Sequence, residues 1–219
     1  MADGLNLGTG ELFALAAALG WASGLRLYAV VFLTGLAGHL GWVTLPGGLQ
    51  VLQQPLLLWA SGAMLAVEFF ADKLPWVDSA WDALHTLVRI PAGAALAMGV
   101  FGGDQQQWAV VAALLGGTLA ATAHVAKAGT RAAVNASPEP FSNIGLSLLG
   151  DAAVPALLWL AWEHPVWFAV ALLGAVAVAI VLIAFTLKFL RAVFRAPWAG
   201  QRPARPPRGF KSTGQAGSP

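Results

Sequence analysis

The sequence predicts an all-α, polytopic membrane protein, a bundle of about six transmembrane helices. Two observations predict it. Hydrophobic residues fill 58% of the 219 positions and charged residues 10%, with a mean hydropathy of +0.71, where a soluble domain carries about 25% charge. A soluble fold of this length leaves too much of its area in water to hide so much apolar surface. The apolar residues also fall into runs of roughly 20, the length that spans about 30 Å of hydrocarbon. The chain has no cysteine, which excludes disulfides and thiolate metal sites.

The first run extends from Leu12 to about Leu40 and contains Ser23-Gly24 followed by Arg26. It reads either as one tilted helix or as two half-helices broken at the Ser-Gly pair. No basic region precedes it, so it does not read as a cleaved signal peptide. The second span is Val51 to Ala71. The third runs from Asp78 to about Phe101, polar as far as Arg89 and plain beyond Pro91. The fourth is Trp108 to Ala126, the fifth Phe141 to Trp162, and the sixth Val166 to Phe189. Short turns separate them at Gly41–Gly48, Gly102–Gln107 and Glu163–Pro165. Residues 1–195 are therefore expected to form one transmembrane domain. Residues 196–219 are expected to be a basic, Pro/Gly-rich, disordered cytoplasmic tail, because they hold nothing that builds a core.

Lys and Arg placement orients the bundle. With six crossings and both termini cytoplasmic, Lys73, Lys127, Arg131, Lys188, Arg191 and Arg195 fall inside, while Asp104, Glu163 and His164 fall outside. The net charge of +2 hides an asymmetry, since every charged residue from Lys188 onward is basic. That end is suited to anionic lipid headgroups at about 1 kcal/mol per cation. Its simpler role is to fix topology. Nucleic acid is not an expected partner, because no folded module or aromatic interleaving accompanies the tail. Trp42, Trp108, Trp162, Trp167 and Trp198 flank spans, as an interfacial belt does.

Ser61–Asp72 can be laid over Gly116–Lys127 with a shift of 55 residues, which suggests that helices two and three repeat as four and five in parallel orientation. Small pairs such as Ser61-Gly62 and Gly116-Gly117 permit close helix approach within one subunit or in a homo-oligomer.

Ionisable residues inside a membrane mark functional sites by default, because each is costly unless paired or hydrated. Asp78, Asp82, His85 and Arg89 share one face of the third helix at i, i+4, i+7 and i+11. His124, Lys127 and Arg131 share the end of the fourth, and Glu68 and Asp72 the end of the second. These two ends thus present opposite charges at similar depth. A rise of about 1.5 Å per residue puts Arg89 and Asp151 near the bilayer centre, with Arg26 mid-way along the first segment. Two such cations against one anion leave a surplus positive charge, to be balanced by a small anion or by Glu68 reaching inward. The loop Asn135–Asn143, with Glu139 between two prolines and ending on Asn143, is a further candidate. It reads either as a gate or simply as the start of the fifth helix with an acid at its N-terminal end.

Three readings of these residues remain: internal salt bridges that lock the bundle, a path for a solute, ion or proton, or a lipid-headgroup site near the cytoplasmic face. A water-filled cavity reaching Arg89 and Asp151 marks the path. A dry, fully paired network marks the lock. A side opening near Lys127 and Arg131 marks the lipid site. No nucleophile motif, phosphate loop or dinucleotide fingerprint occurs. No helix offers a partner pair for Asp82 and His85 as metal ligands. No catalytic residue, metal or cofactor is assigned. The reading taken is a small-solute or ion transporter or channel lined by Arg26, Glu68, Asp82, His85, Arg89, His124 and Asp151. The alternative is a non-transporting membrane protein that binds lipid or a partner.

Three strings, Ala22–Tyr28, Glu68–Gly93 and Thr130–Asn143, resemble the bacterial membrane family catalogued as domain of unknown function 4126, over about Leu12 to Phe194. Polar strings of this length are rare in so apolar a chain. The resemblance implies an integral protein of the bacterial inner membrane. It supplies no activity or substrate.

Overall fold

The computed structural model describes residues 7–74, 76–102, 105–135 and 140–199, with side chains described as far as 192 except that of Pro140. Glu139, Asp104 and the tail from residue 200 therefore lie outside the described residues. The described residues up to Thr186 pack as one unit, and those from Leu187 form a second. The described residues form helices joined by turns and short irregular segments, with no strand: α1 (Thr9–His39), a short 3-10 helix (Gly47–Gln53), α2 (Pro55–Ala71), α3 (Val77–Gly99), α4 (Gln106–Asn135), α5 (Pro140–Glu163) and α6 (Pro165–Ala199).

α1 is the hub, packed by α2, α3, α4 and α5, and 78% of its most apolar window is buried. It is two helical segments joined across a kink at Arg26, whose backbone (φ −149°, ψ 84°) leaves the helical region. The break thus falls just after the Ser-Gly pair. The Ser23 hydroxyl donates to the Leu19 carbonyl at 2.5 Å, a back-bond that bends helices. Small residues let α3 and α4 close on α1. A Cβ on Gly93 would lie 2.7 Å from that of Ala120, and one on Gly24 2.9 Å from that of Ala123. Gly20 meets Gly116 backbone to backbone, the close approach small residues give membrane helices.

The second span differs from a single run over Val51–Ala71. Proline restricts the residue before it to extended backbone, and Gln54 ahead of Pro55 sits at φ −66°, ψ 137°. The 3-10 helix and α2 consequently meet at 71°. Four helices (α1, α4, α5 and α6) are long and apolar enough to cross a membrane, and a fifth crossing is added if the bent pair is one broken span. α3 is long enough at 23 residues, but its charged half keeps it out of that set.

Polarity is inverted relative to a soluble bundle. Arg26, Glu68, Asp72, Asp78, Asp82, Arg89 and Arg131 are buried, while Leu56, Trp59, Leu84, Leu87, Leu114, Leu173 and Phe185 stand exposed on the outside. The outermost helices carry this furthest, with only 11% of α6's window buried. An apolar envelope of this extent suits a lipid solvent and not water.

Candidate functional site

The kink at Arg26 aims a guanidinium at two helices at once. Its Nη1 lies 2.6 Å from Asp72 at the end of α2, and its Nη2 lies 2.9 Å from Asp151 on α5. Nη2 also donates to the Ser147 carbonyl and hydroxyl at 2.9 and 3.0 Å. The same kink interrupts backbone pairing in α1, and the freed Leu25 carbonyl accepts from Lys127 Nζ at 2.9 Å. Lys127 continues to Asp72 at 3.0 Å and Asp82 at 3.3 Å. These two residues are the ones the 55-residue shift superposes, so the ends of α2 and α4 are joined by a direct ion pair. Arg131, one turn on, reaches Asp72 at 2.8 Å, Asp82 at 3.6 Å and Asp78 at 3.9 Å, all through Nη1.

Arg89 completes the other half. Helical side chains lean toward the N-terminus of their helix. The guanidinium accordingly reaches back two turns to Asp82 (2.8 Å) and across to Glu68 on α2 (2.6 Å). His124 Nδ1 lies 3.4 Å away, and its Nε2 meets Thr86 at 2.7 Å. This lean explains why Arg89, centred by its Cα depth, joins the carboxylates near the end of its helix and does not face Asp151. His85 is stacked on Trp81, with centroids 4.1 Å apart, and pairs with the Tyr28 hydroxyl at 3.1 Å. Asn135 donates to both Asp78 oxygens, at 3.0 and 3.2 Å, tying the end of α4 to the start of α3.

The expected surplus of positive charge is absent from this network. Five cations (Arg26, Lys73, Arg89, Lys127, Arg131) meet five carboxylates (Glu68, Asp72, Asp78, Asp82, Asp151). The surplus came from setting the three mid-span charges apart from the carboxylates at the helix ends, whereas long arginine side chains bridge that distance. All Lys and Arg ahead of Lys188 take part. Asn143, 1% exposed, is not joined to the network, and neither of its amide atoms has a partner among the described residues.

Several partners were missed in the sequence. Lys73, read only as a topology signal, bonds Asp151 at 3.0 Å and lies 3.0 Å over the Phe69 ring. Ser147 lies one turn before Asp151, a spacing that does signal a shared face. Tyr28 and Thr86 carried no comparable signal.

Two cavities flank the Arg26–Asp151 contact. One of about 450 Å³ lies between α1, α2 and α5, with Asp151 at its edge among Ala29, Leu65, Phe69 and Pro155. The other, of about 560 Å³, lies between α1, α4, α5 and α6. Its charged lining is Arg26, Lys127 and Arg131, and the rest is apolar except Thr130. Leu149, Ala156 and Val178 on its wall are exposed, so it opens on the lateral surface along α5 and α6. Among the described residues no cluster of three or more His, Asp or Glu is placed to hold a metal ion.

Neither curated proteins nor solved structures return a match to the chain. A family model does match, over residues 13–185, taking in the whole charged network and both cavities. The chain belongs to the family described as domain of unknown function (DUF4126).

Proposed function

We propose that this is a six-crossing protein of the bacterial inner membrane, with both termini cytoplasmic, that takes a membrane amphiphile into the lateral cavity between α1, α4, α5 and α6. The charged network is its structural hub. In this reading α3 is the sixth crossing, its charged face turned inward, and the 3-10 helix with α2 is one broken crossing. The Asn135–Asp78 bond supports the topology, since it brings the α2–α3 turn and the end of α4 to one side. The observation that carries the binding reading is the cavity itself. It is apolar, open at the bundle's side and of the usual ligand-pocket volume, roughly 300–1,000 Å³. Balanced ion pairs supply stability without an aqueous path, and Glu68 and Arg89 are fully buried.

The test is lipid analysis of purified wild type against Ala153→Phe and Ala156→Trp, which fill the cavity from α5. Retained lipid in wild type, lost from variants that melt normally, supports the reading. Wild type free of lipid overturns it.

A second reading, movement of a small solute or ion, is favoured by Asp151. It is 20% exposed at the edge of the smaller cavity and paired with Lys73. Liposome flux for wild type against Asp151→Ala tests it. A flux lost in a folded variant supports it, and no flux in wild type removes it.

A further inference from the structure

The larger cavity is electrically one-sided. The network balances, yet among the described residues that line the cavity there is no carboxylate, while three cations are present. Asp72 and Asp82 sit behind Lys127 and Arg131, so the cations face the cavity. Two donor edges there lack a partner among the described residues. Among the described residues every ion pair of Arg131 runs through Nη1, although a guanidinium offers five N–H donors. Arg26 Nε is buried without a hydrogen-bond partner among the described residues. It lies beside Gly150 on the cavity wall, where a Cβ would sit 3.6 Å from it. A larger residue at 150 would cover that donor.

The apolar part runs away from these cations. Along α5 the lining runs from Gly150, beside Arg26, to Leu160, about 15 Å at 1.5 Å per residue. That matches the roughly 15 Å of half a hydrocarbon core. A small soluble anion would use the cationic end and leave this length empty. An uncharged lipid would leave the donors unmet, which costs free energy in an apolar site.

Resting on the amphiphile-binding reading above, we infer that the cavity seats an anionic phospholipid, with its phosphate at Arg26, Lys127 and Arg131 and one acyl chain along α5. The phosphate takes the free edge of Arg131 and Arg26 Nε, charge-assisted bonds that guanidinium groups make well.

Native mass spectrometry of the full chain in detergent tests this, with phosphatidylglycerol, phosphatidylcholine of the same chains, and inorganic phosphate as probes. The expected result is a preference of about tenfold or more for phosphatidylglycerol over phosphatidylcholine, reduced in Arg131→Gln. Binding of both lipids is lost in Ala156→Trp, which touches no charge and so remains informative if Arg131→Gln fails to fold. Equal binding of the two lipids, both lost in Ala156→Trp, overturns the headgroup assignment and leaves the amphiphile reading standing. Inorganic phosphate binding as tightly as phosphatidylglycerol makes a free anion the ligand and overturns the proposal. Lipid binding indifferent to Ala156→Trp overturns both.

Discussion

The two flanks of α1 use the same chemistry to opposite ends. On the α2–α3–α4 side, Arg89 is locked between Glu68 and Asp82, and glycines bring the backbones into contact. On the α5 side, Arg26 holds Asp151 and Ser147 across a contact with a cavity on either side. Buried charge does not by itself define a pathway. Where helices close tightly the charge becomes a fastener, and where packing is loose the same kind of charge borders a site.

The largest effect should come from the closed flank. Arg89→Ala strands Glu68 and Asp82, and breaking a buried pair from one side costs about 3–5 kcal/mol. Loss of the folded protein, or a steep fall in its melting temperature in detergent, is expected. Arg89→Lys should recover only part, since an ammonium lacks the fork that serves both carboxylates. A normal melt for Arg89→Ala would break the comparison. Next is Gly116→Val, which forces side-chain bulk against Ala97 and the Gly93 backbone. Overpacking of this kind costs about 1–3 kcal/mol, read in the same melt.

On the open flank, Asp151→Asn should be mild, about 1 kcal/mol or less. Asp151 is partly exposed, and Arg26 retains Asp72 and Ser147. A loss as large as that of Arg89→Ala would mean that both flanks are equally tight. The smallest effect is expected for Tyr28→Phe, which removes one bond to His85, worth roughly 0.6 kcal/mol in a membrane bundle.

Much of this was legible in the sequence, because spacing reports faces. The i, i+4, i+7, i+11 pattern put Asp78, Asp82, His85 and Arg89 together, and all four are buried. The opposite charges at the ends of α2 and α4 likewise meet as Asp72 and Lys127. Partnership was harder to read. Depth along a helix axis locates a Cα, whereas Arg89 acts two turns away through its side chain. The bend at Gln54 was signalled by Pro55 yet hidden within a continuous apolar run. The cavity had no sequence signal, since its wall is ordinary Leu and Ala that elsewhere fill contacts.

The central claim is that the network is dry and the cavity faces lipid. The chain has no cysteine, so a single introduced thiol can be followed cleanly. Ser147→Cys places one beside Arg26, and Thr44→Cys places one in the exposed turn between α1 and the 3-10 helix. The decisive measurement is the reaction rate of each, in membranes, with a charged, impermeant thiol reagent. The account predicts that Ser147→Cys reacts on the order of a hundredfold more slowly, since burial denies a charged reagent access to the thiol. Comparable rates would place water at Arg26 and contradict the account in favour of an aqueous pathway.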